Sequence, residues 1–255
     1  MDDSDDLSLG SIFPETPRPP TPEATVAVYE RDSDVLADDW RDVKIRLVGS
    51  HPLWGHYLWN AARAFASYLD HNQELYSNRF VLELGAGGGL PGIIAAKNGA
   101  KHVVLTDYPD AELVANLEYN VQETLPVSLK ADVSVQGYIW GHAVQPLLSA
   151  LPTKAGGFHL IILSDLVFNH SQHDSLLKTC EHALAPVPDA CVLVFYTHHR
   201  PHLAHRDMEF FSKAREQGWT CEEILTRRFA PMFPEDPGEE SVRSTVHGWR
   251  LGRLL

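Results

Sequence analysis

The stretch LELGAGGGLPG, residues 82–92, packs five glycines into eleven positions directly after an apolar run. Gly85 and Gly87 let a chain turn sharply out of a strand and bring bare backbone close to a ligand. Read from Gly87, the stretch matches the dinucleotide pattern G-x-G-x-x-G through Gly87, Gly89 and Gly92. Counted from Gly85, the register set by the strand end, the third glycine position is Leu90. Pro91 deletes one of the amide donors that a pyrophosphate uses at a helix start. Glu83, two positions before the first glycine, would repel pyrophosphate and attract an ammonium or a sulfonium. The loop therefore reads as a nucleoside site of cationic preference, and a dehydrogenase is disfavoured. Asp107 ends the next apolar run, about 20 residues after the loop. A carboxylate there can accept both hydroxyls of an adenosine ribose; the competing reading is a cap on the following helix.

The elements that must position these residues follow from periodicity. VKIRLV (43–48) alternates as a short half-exposed strand, and LWGHYLWNAARAFASYL (53–69) places Leu58, Ala61, Ala62, Phe65, Tyr68 and Leu69 on one helical stripe. Strands are expected at FVLEL (80–84), HVVLTD (102–107), VSLKADV (127–133), FHLIILSD (158–165) and ACVLVFYT (190–197). Helices are expected from about 91, over 111–122, over 171–184 with a capping-box spacing of Ser171 and Asp174, and over 205–217 before Gly218. WTCEEILTRRF (219–229) and STVHGWRLGRL (244–254) close the chain as a β pair. Strand and helix alternate five times, which implies a parallel, doubly covered sheet, with the closing pair added at one edge. The fold class is a Rossmann-like seven-stranded, mostly parallel sheet with helices on both faces and a terminal antiparallel hairpin.

Residues 1–39 form a separate acidic, Pro-rich N-terminal extension, with four acidic residues in the first six and PETPRPPTPE at 14–23. They read as extended lead-in before a domain over 40–255. The acidic start is neither a signal nor a transit peptide, and no apolar run approaches a membrane span, so a cytoplasmic protein is expected. Cys180, Cys191 and Cys221 have the wide, odd spacing of thiols in a reducing compartment. The net charge of −13 disfavours nucleic acid as a direct partner and favours a basic one.

VLELGAGGGLPG, TDYPD, Trp140 and SDLVFNH, taken in order, resemble the seven-strand S-adenosylmethionine-dependent methyltransferases. The likeness covers about 43–255, and LWNAARAFASYL is similar to the W-[DN]-A-A segment of the small lysine and N-terminal protein methyltransferases. RLVGSHPLWGHYLWNA, TDYPD and SDLVFNH together resemble the fungal methyltransferases that act on the N-terminus of translation elongation factor 1-alpha, formerly labelled nicotinamide N-methyltransferases. The resemblance implies S-adenosylmethionine as cofactor. It places Trp59 and the backbone of Gly85, Ala86 and Gly87 against that cofactor, and Asp107 on its ribose. Trp140 would lie against the adenine and Ser164 would line the crevice. Trp54 reads as a core residue first. The resemblance implies action on the N-terminal α-amine and an adjacent lysine of elongation factor 1-alpha, and a monomer is expected. Two other functions stay open: a small-molecule amine N-methyltransferase of the nicotinamide type, and a non-catalytic cofactor-binding module.

Methyl transfer to an amine is an in-line displacement that needs a neutral, aligned amine. An α-amine, with a pKa of about 8, loses its proton far more easily than lysine at about 10.4. Asp165 is placed to orient that amine. Phe168 stands three places later, where related lysine enzymes carry an aromatic residue, and it lacks the tyrosine hydroxyl; Asn169 and His170 follow on the same loop. His198, His199, His202 and His205 follow the fifth strand on the same side. Pro201 breaks their spacing and no Cys is near, so no metal site is expected there and contact with substrate or solvent is.

Overall fold

The computed structural model describes residues 22–35, 40–152 and 156–253. Nine strands and eight α-helices occur among them, with three short 3-10 turns. Strands β1 (Thr25–Glu30) and β2 (Asp42–Leu47) form an antiparallel pair of their own. The main sheet contains β3 (Phe80–Leu84), β4 (His102–Asp107), β5 (Val133–Gly137), β6 (Leu160–Ser164), β7 (Cys191–Thr197), β8 (Trp219–Arg228) and β9 (Thr245–Arg253). Its order is β5-β4-β3-β6-β7-β9-β8. The first five of these strands pair in parallel, and β9 runs antiparallel to both β7 and β8. The chain winds outward from β3 through β4 to β5, then returns to start β6 on the other side of β3. That reversal opens a crevice beyond the carboxyl ends of β3 and β6, where open α/β sheets receive ligands.

Helices α1 (Asn60–His71), α2 (Leu90–Lys97) and α3 (Ala111–Thr124) cover one face. Their apolar side chains meet the strands in a single cluster that includes Phe65, Leu69, Ile93 and Leu117. Phe65 stacks on Phe195 at 4.1 Å and 20°. Losing a ring so enclosed costs a core about 3–5 kcal/mol. Helices α6 (His173–Ala183) and α7 (Ala204–Glu216) cover the other face through Leu176, Leu177, Phe210 and Phe211. The remaining helices, α4 (Val127–Lys130), α5 (Gln145–Ser149) and α8 (Glu240–Arg243), are single turns. Gly218, at φ 86°, ends the α7 region in the left-handed conformation that glycine tolerates.

Four local expectations change. The helix expected over 53–69 starts only at Asn60. Trp54 lies at φ 64°, a conformation no helix can contain, and residues 53–59 instead form a turn-rich aromatic segment. The strand expected at 127–133 is mostly α4, with β5 beginning at Val133. Pro126, at φ −62° and ψ 152°, sits at the N-cap of that turn, where its missing amide costs nothing. The capping box does not form. Ser171 Oγ donates to Asn169 Oδ1, and Asp174 pairs with Lys213 at 2.6 Å. Finally, the extension contains an ordered strand: Tyr29 in β1 is buried and shares a 3.2 Å hydrogen bond with Ser67 of α1. The neighbouring Arg31 grips Asp70 through two hydrogen bonds of 2.6 and 2.8 Å. Residues 1–21 and 36–39 lie outside the described residues.

Candidate active site

A cavity of about 480 Å³ opens at the carboxyl ends of β3, β4 and β6, within the size range of small-molecule sites. Its floor is the glycine loop. Strand β3 is buried along its whole length and leaves the sheet at Gly85, φ 59°. A Cβ on Gly85 would come within 2.8 Å of Leu166 and 2.9 Å of Trp140 Cζ2, so the loop and the Trp140 ring touch. Gly85→Ala should therefore displace Trp140 or Leu166. We expect it to cost about 1–3 kcal/mol in stability, read by urea unfolding, and to weaken ligand binding in the same cavity.

Gly87 turns again at φ 55°, and its N–H donates to Asp107 Oδ2 at 2.6 Å. Asp107 Oδ1 accepts from the Tyr108 N–H at 2.7 Å. Burial raises the Asp107 pKa against the pull of these two amides. The helix-capping alternative for Asp107 belongs instead to Asp110, whose side chain accepts from Glu112 and Leu113 N–H at the start of α3.

The cavity brings together Trp59, Gly85, Ala86, Gly87, Asp107, Trp140, Ser164, Asp165 and Phe168 from the sequence-derived set. Glu83 is the exception. It is fully buried beneath the loop and does not line the cavity. One oxygen accepts from Gly92 N–H at 2.8 Å, and the other has no hydrogen-bond partner among the described residues. Burial pushes its pKa up to about 8, so at neutral pH it is a neutral acid and not the anion that would draw a sulfonium. Gly92, the last glycine of the literal dinucleotide match, packs against Glu83 and Leu105 outside the cavity.

Flat Trp140, the carboxylate of Asp107 and the bare loop backbone suit an adenosine: a ring to stack, a diol to accept from, and space close to the main chain. In that sense the residues present fit the expected cofactor.

A second pocket of about 120 Å³ adjoins the first. Trp54, Trp59 and Phe168 line both, and the smaller one adds His170, His199, Arg200, Leu203, Asp207, Phe233 and Asp236. Trp54 is 42% exposed, so it is a wall residue and not the core residue expected. Phe168 is equally exposed at the junction. Phe233 comes from the segment between β8 and β9. Arg243 holds its carbonyl at 2.7 Å, and Asn60 holds the nearby Ala230 carbonyl at 2.8 Å.

Asp165 adopts φ 58°, a strained conformation for a residue with a side chain, of the kind that clusters at functional sites. Its carboxylate is buried, accepting from Thr197 N–H at 3.3 Å and bonding His199 Nε2 at 2.9 Å. Burial alone would lower the His199 pKa, but the charge and hydrogen bond of Asp165 outweigh it and hold it above the ordinary value. Asp207 lies between His170 Nε2 (2.7 Å) and His198 Nδ1 (2.6 Å). Two members of the histidine run thus serve carboxylates at the site. The sequence places His199 only within a histidine run open to substrate or solvent and reads Trp54 as core first; it does not single out Asp207 or Phe233. The usable signal was topological: parallel neighbours β6 and β7 carry Asp165 and His199 just beyond their ends.

Residues 42–217 match a family model described as lysine methyltransferase. The protein N-terminal and lysine N-methyltransferase EFM7 of Candida glabrata is 48% identical over 240 residues, covering 93% of each chain. The efm7 protein of Schizosaccharomyces pombe, of the same description, is 45% identical over 254 residues and 98% of each chain. Among solved structures, Pyrococcus horikoshii TYW2 in complex with MeSAdo superposes with a TM-score of 0.53 at 15% identity. That match spans 90% of this chain and 72% of the other, a likeness of fold.

Proposed function

Because this chain belongs to the lysine methyltransferase family, we propose that it transfers methyl groups from S-adenosylmethionine to a protein amine. The acceptors are the N-terminal α-amine and an adjacent lysine of translation elongation factor 1-alpha, methylated in the cytoplasm by a monomer. The continuity of the two pockets through Trp54, Trp59 and Phe168 carries this reading. The larger one suits a nucleoside. The smaller is aromatic-walled and carries Asp207 and Asp236, a surrounding that suits a chain end or a lysine bearing positive charge. The names of the relatives and the net charge of −13 point the same way. Among the described residues no helix is long and apolar enough to cross a membrane.

In this reading Trp59, Gly85, Ala86, Gly87, Asp107, Trp140 and Ser164 hold the cofactor, which when bound supplies an electrophilic methyl. Asp107 accepts the ribose hydroxyls while keeping the loop folded through Gly87. Trp140 covers the base. Asp165, in the larger pocket, and Phe168, at the junction of the two, orient the amine so that its lone pair faces the methyl group. Trp59 and Phe168 narrow the passage and exclude water around the approaching nitrogen.

Incubating the protein with isotope-labelled cofactor and a cell extract should label one protein, within its first few residues. Label confined to small molecules would transfer the assignment to a small-amine methyltransferase. No label with intact cofactor binding would leave a binding module.

A further inference from the structure

We propose that His199 is the catalytic base that takes the proton from the incoming amine, with Asp165 holding its ring. This rests on the amine-methylation reading above. Strands β6 and β7 are parallel neighbours with Ser164 opposite Phe195, so the chain leaving β6 at Asp165 meets the chain leaving β7 at His199. Asp165 bonds His199 Nε2 at 2.9 Å. With Nε2–H donating to that carboxylate, Nδ1 carries the lone pair. Nδ1 has no hydrogen-bond partner among the described residues and is not one of the enclosed unpartnered atoms, so it is open to a proton donor. The ring lies 4.7 Å from Trp59 and lines the smaller pocket, which joins the cofactor cavity at Trp54, Trp59 and Phe168. An amine entering this way passes His199 before it reaches the methyl position.

The step balances simply. The ammonium N–H bond breaks and its electron pair returns to the amine nitrogen. An N–H bond forms at Nδ1, and the imidazolium faces the Asp165 carboxylate. The proton then leaves to solvent, and the imidazole is ready for the proton that each methylated product carries. A base oriented by a buried carboxylate is a recurrent arrangement. The charged groups around His199 are Asp165 and Asp207, which favour the imidazolium, and Arg200, which opposes it; Asp236 lines the same pocket, and His170 and His198 share Asp207.

The test combines kinetics with a readout on the ligand-free protein. Imidazole titration by NMR should give His199 a midpoint above the ordinary histidine value, and Asp165→Asn should lower it. With a peptide bearing a free α-amine and a neighbouring lysine, the acid limb of kcat/KM should share that midpoint. His199→Gln should move the limb upward, toward the free amine near 8. The variant should be at least about tenfold slower at pH 7 and largely recovered at pH 9, with unchanged calorimetric binding of S-adenosylhomocysteine. A loss equal at every pH, or an unmoved limb, would overturn the proposal while leaving methyl transfer intact. A His199 midpoint unaltered in Asp165→Asn would overturn it without reference to activity. A wild-type protein that methylates no amine would remove the underlying reading and the base with it.

Discussion

Asp107→Ala should lower cofactor affinity by about 100- to 10,000-fold while the domain remains folded. A carboxylate offers about four lone-pair sites. Two are taken by Gly87 and Tyr108 N–H, leaving two for a pair of ribose hydroxyls. Hydrogen bonds to a charged group are worth about 1.5–3 kcal/mol each, so two lost together span about 3–6 kcal/mol. Gly87 and Tyr108 both line the cavity, so water there can take over the amides freed by the substitution and the fold is expected to survive. Calorimetric titration with S-adenosylhomocysteine, alongside circular dichroism, measures both halves. An affinity equal to that of wild type would sink the ribose assignment, and an unfolded variant would show that loop support is its main task.

Glu83→Gln should make the protein more stable at neutral pH, by up to about 3 kcal/mol. The folded-state pKa of about 8 lies above the ordinary 4.5. Between those values the unfolded chain has released the proton and the folded chain retains it. Wild-type stability from this group is therefore greatest below about 4.5 and falls by about 1.4 kcal/mol per pH unit up to about 8. At pH 7 the accumulated loss is about 3 kcal/mol. Glutamine can still accept from Gly92 N–H and cannot ionise, so this slope disappears, although its buried amide donors offset part of the gain. Urea unfolding at pH 5 and pH 8 reads the difference directly. Parallel pH dependence in the two proteins would mean that Glu83 ionises freely and the burial argument fails.

Much of this architecture is legible before any coordinates. FVLEL, HVVLTD, FHLIILSD and ACVLVFYT are apolar enough to be central strands, and they are four of the parallel strands. The fifth, β5, was misplaced because it is an edge strand, half-buried, with no strong apolar signal. VSLKADV, where the strand is expected, instead follows a proline that starts a helical turn. Glu83 was misjudged for a related reason. Every residue of β3 is buried, so no polar alternation shows which way a given side chain faces. Asp107 and Trp140 were readable because their positions after a strand are tied to the crevice. The pairing of His199 with Asp165 is not, because the two lie 34 residues apart and only the pairing of β6 with β7 unites them. Phe233 and the cavity-wall position of Trp54 are not legible in the sequence, because both residues sit in irregular segments whose conformation has no period to read.

The small β1–β2 sheet lies outside the strands that carry the site, yet it works as a splint for the glycine loop. Asn120 of α3 accepts from Arg46 N–H, and its amide nitrogen donates to the carbonyls of Arg46 and Gly88. Ile45 packs so closely on Gly88 that a methyl group there would come within 2.3 Å. The loop is thus clamped from one side by β2 and from the other by Asp107. Since β1 in turn pairs with β2 along its whole length, the footing under Gly88 is only as firm as that two-stranded sheet, and a substitution that loosens the pair is felt in the loop through Ile45 and Asn120.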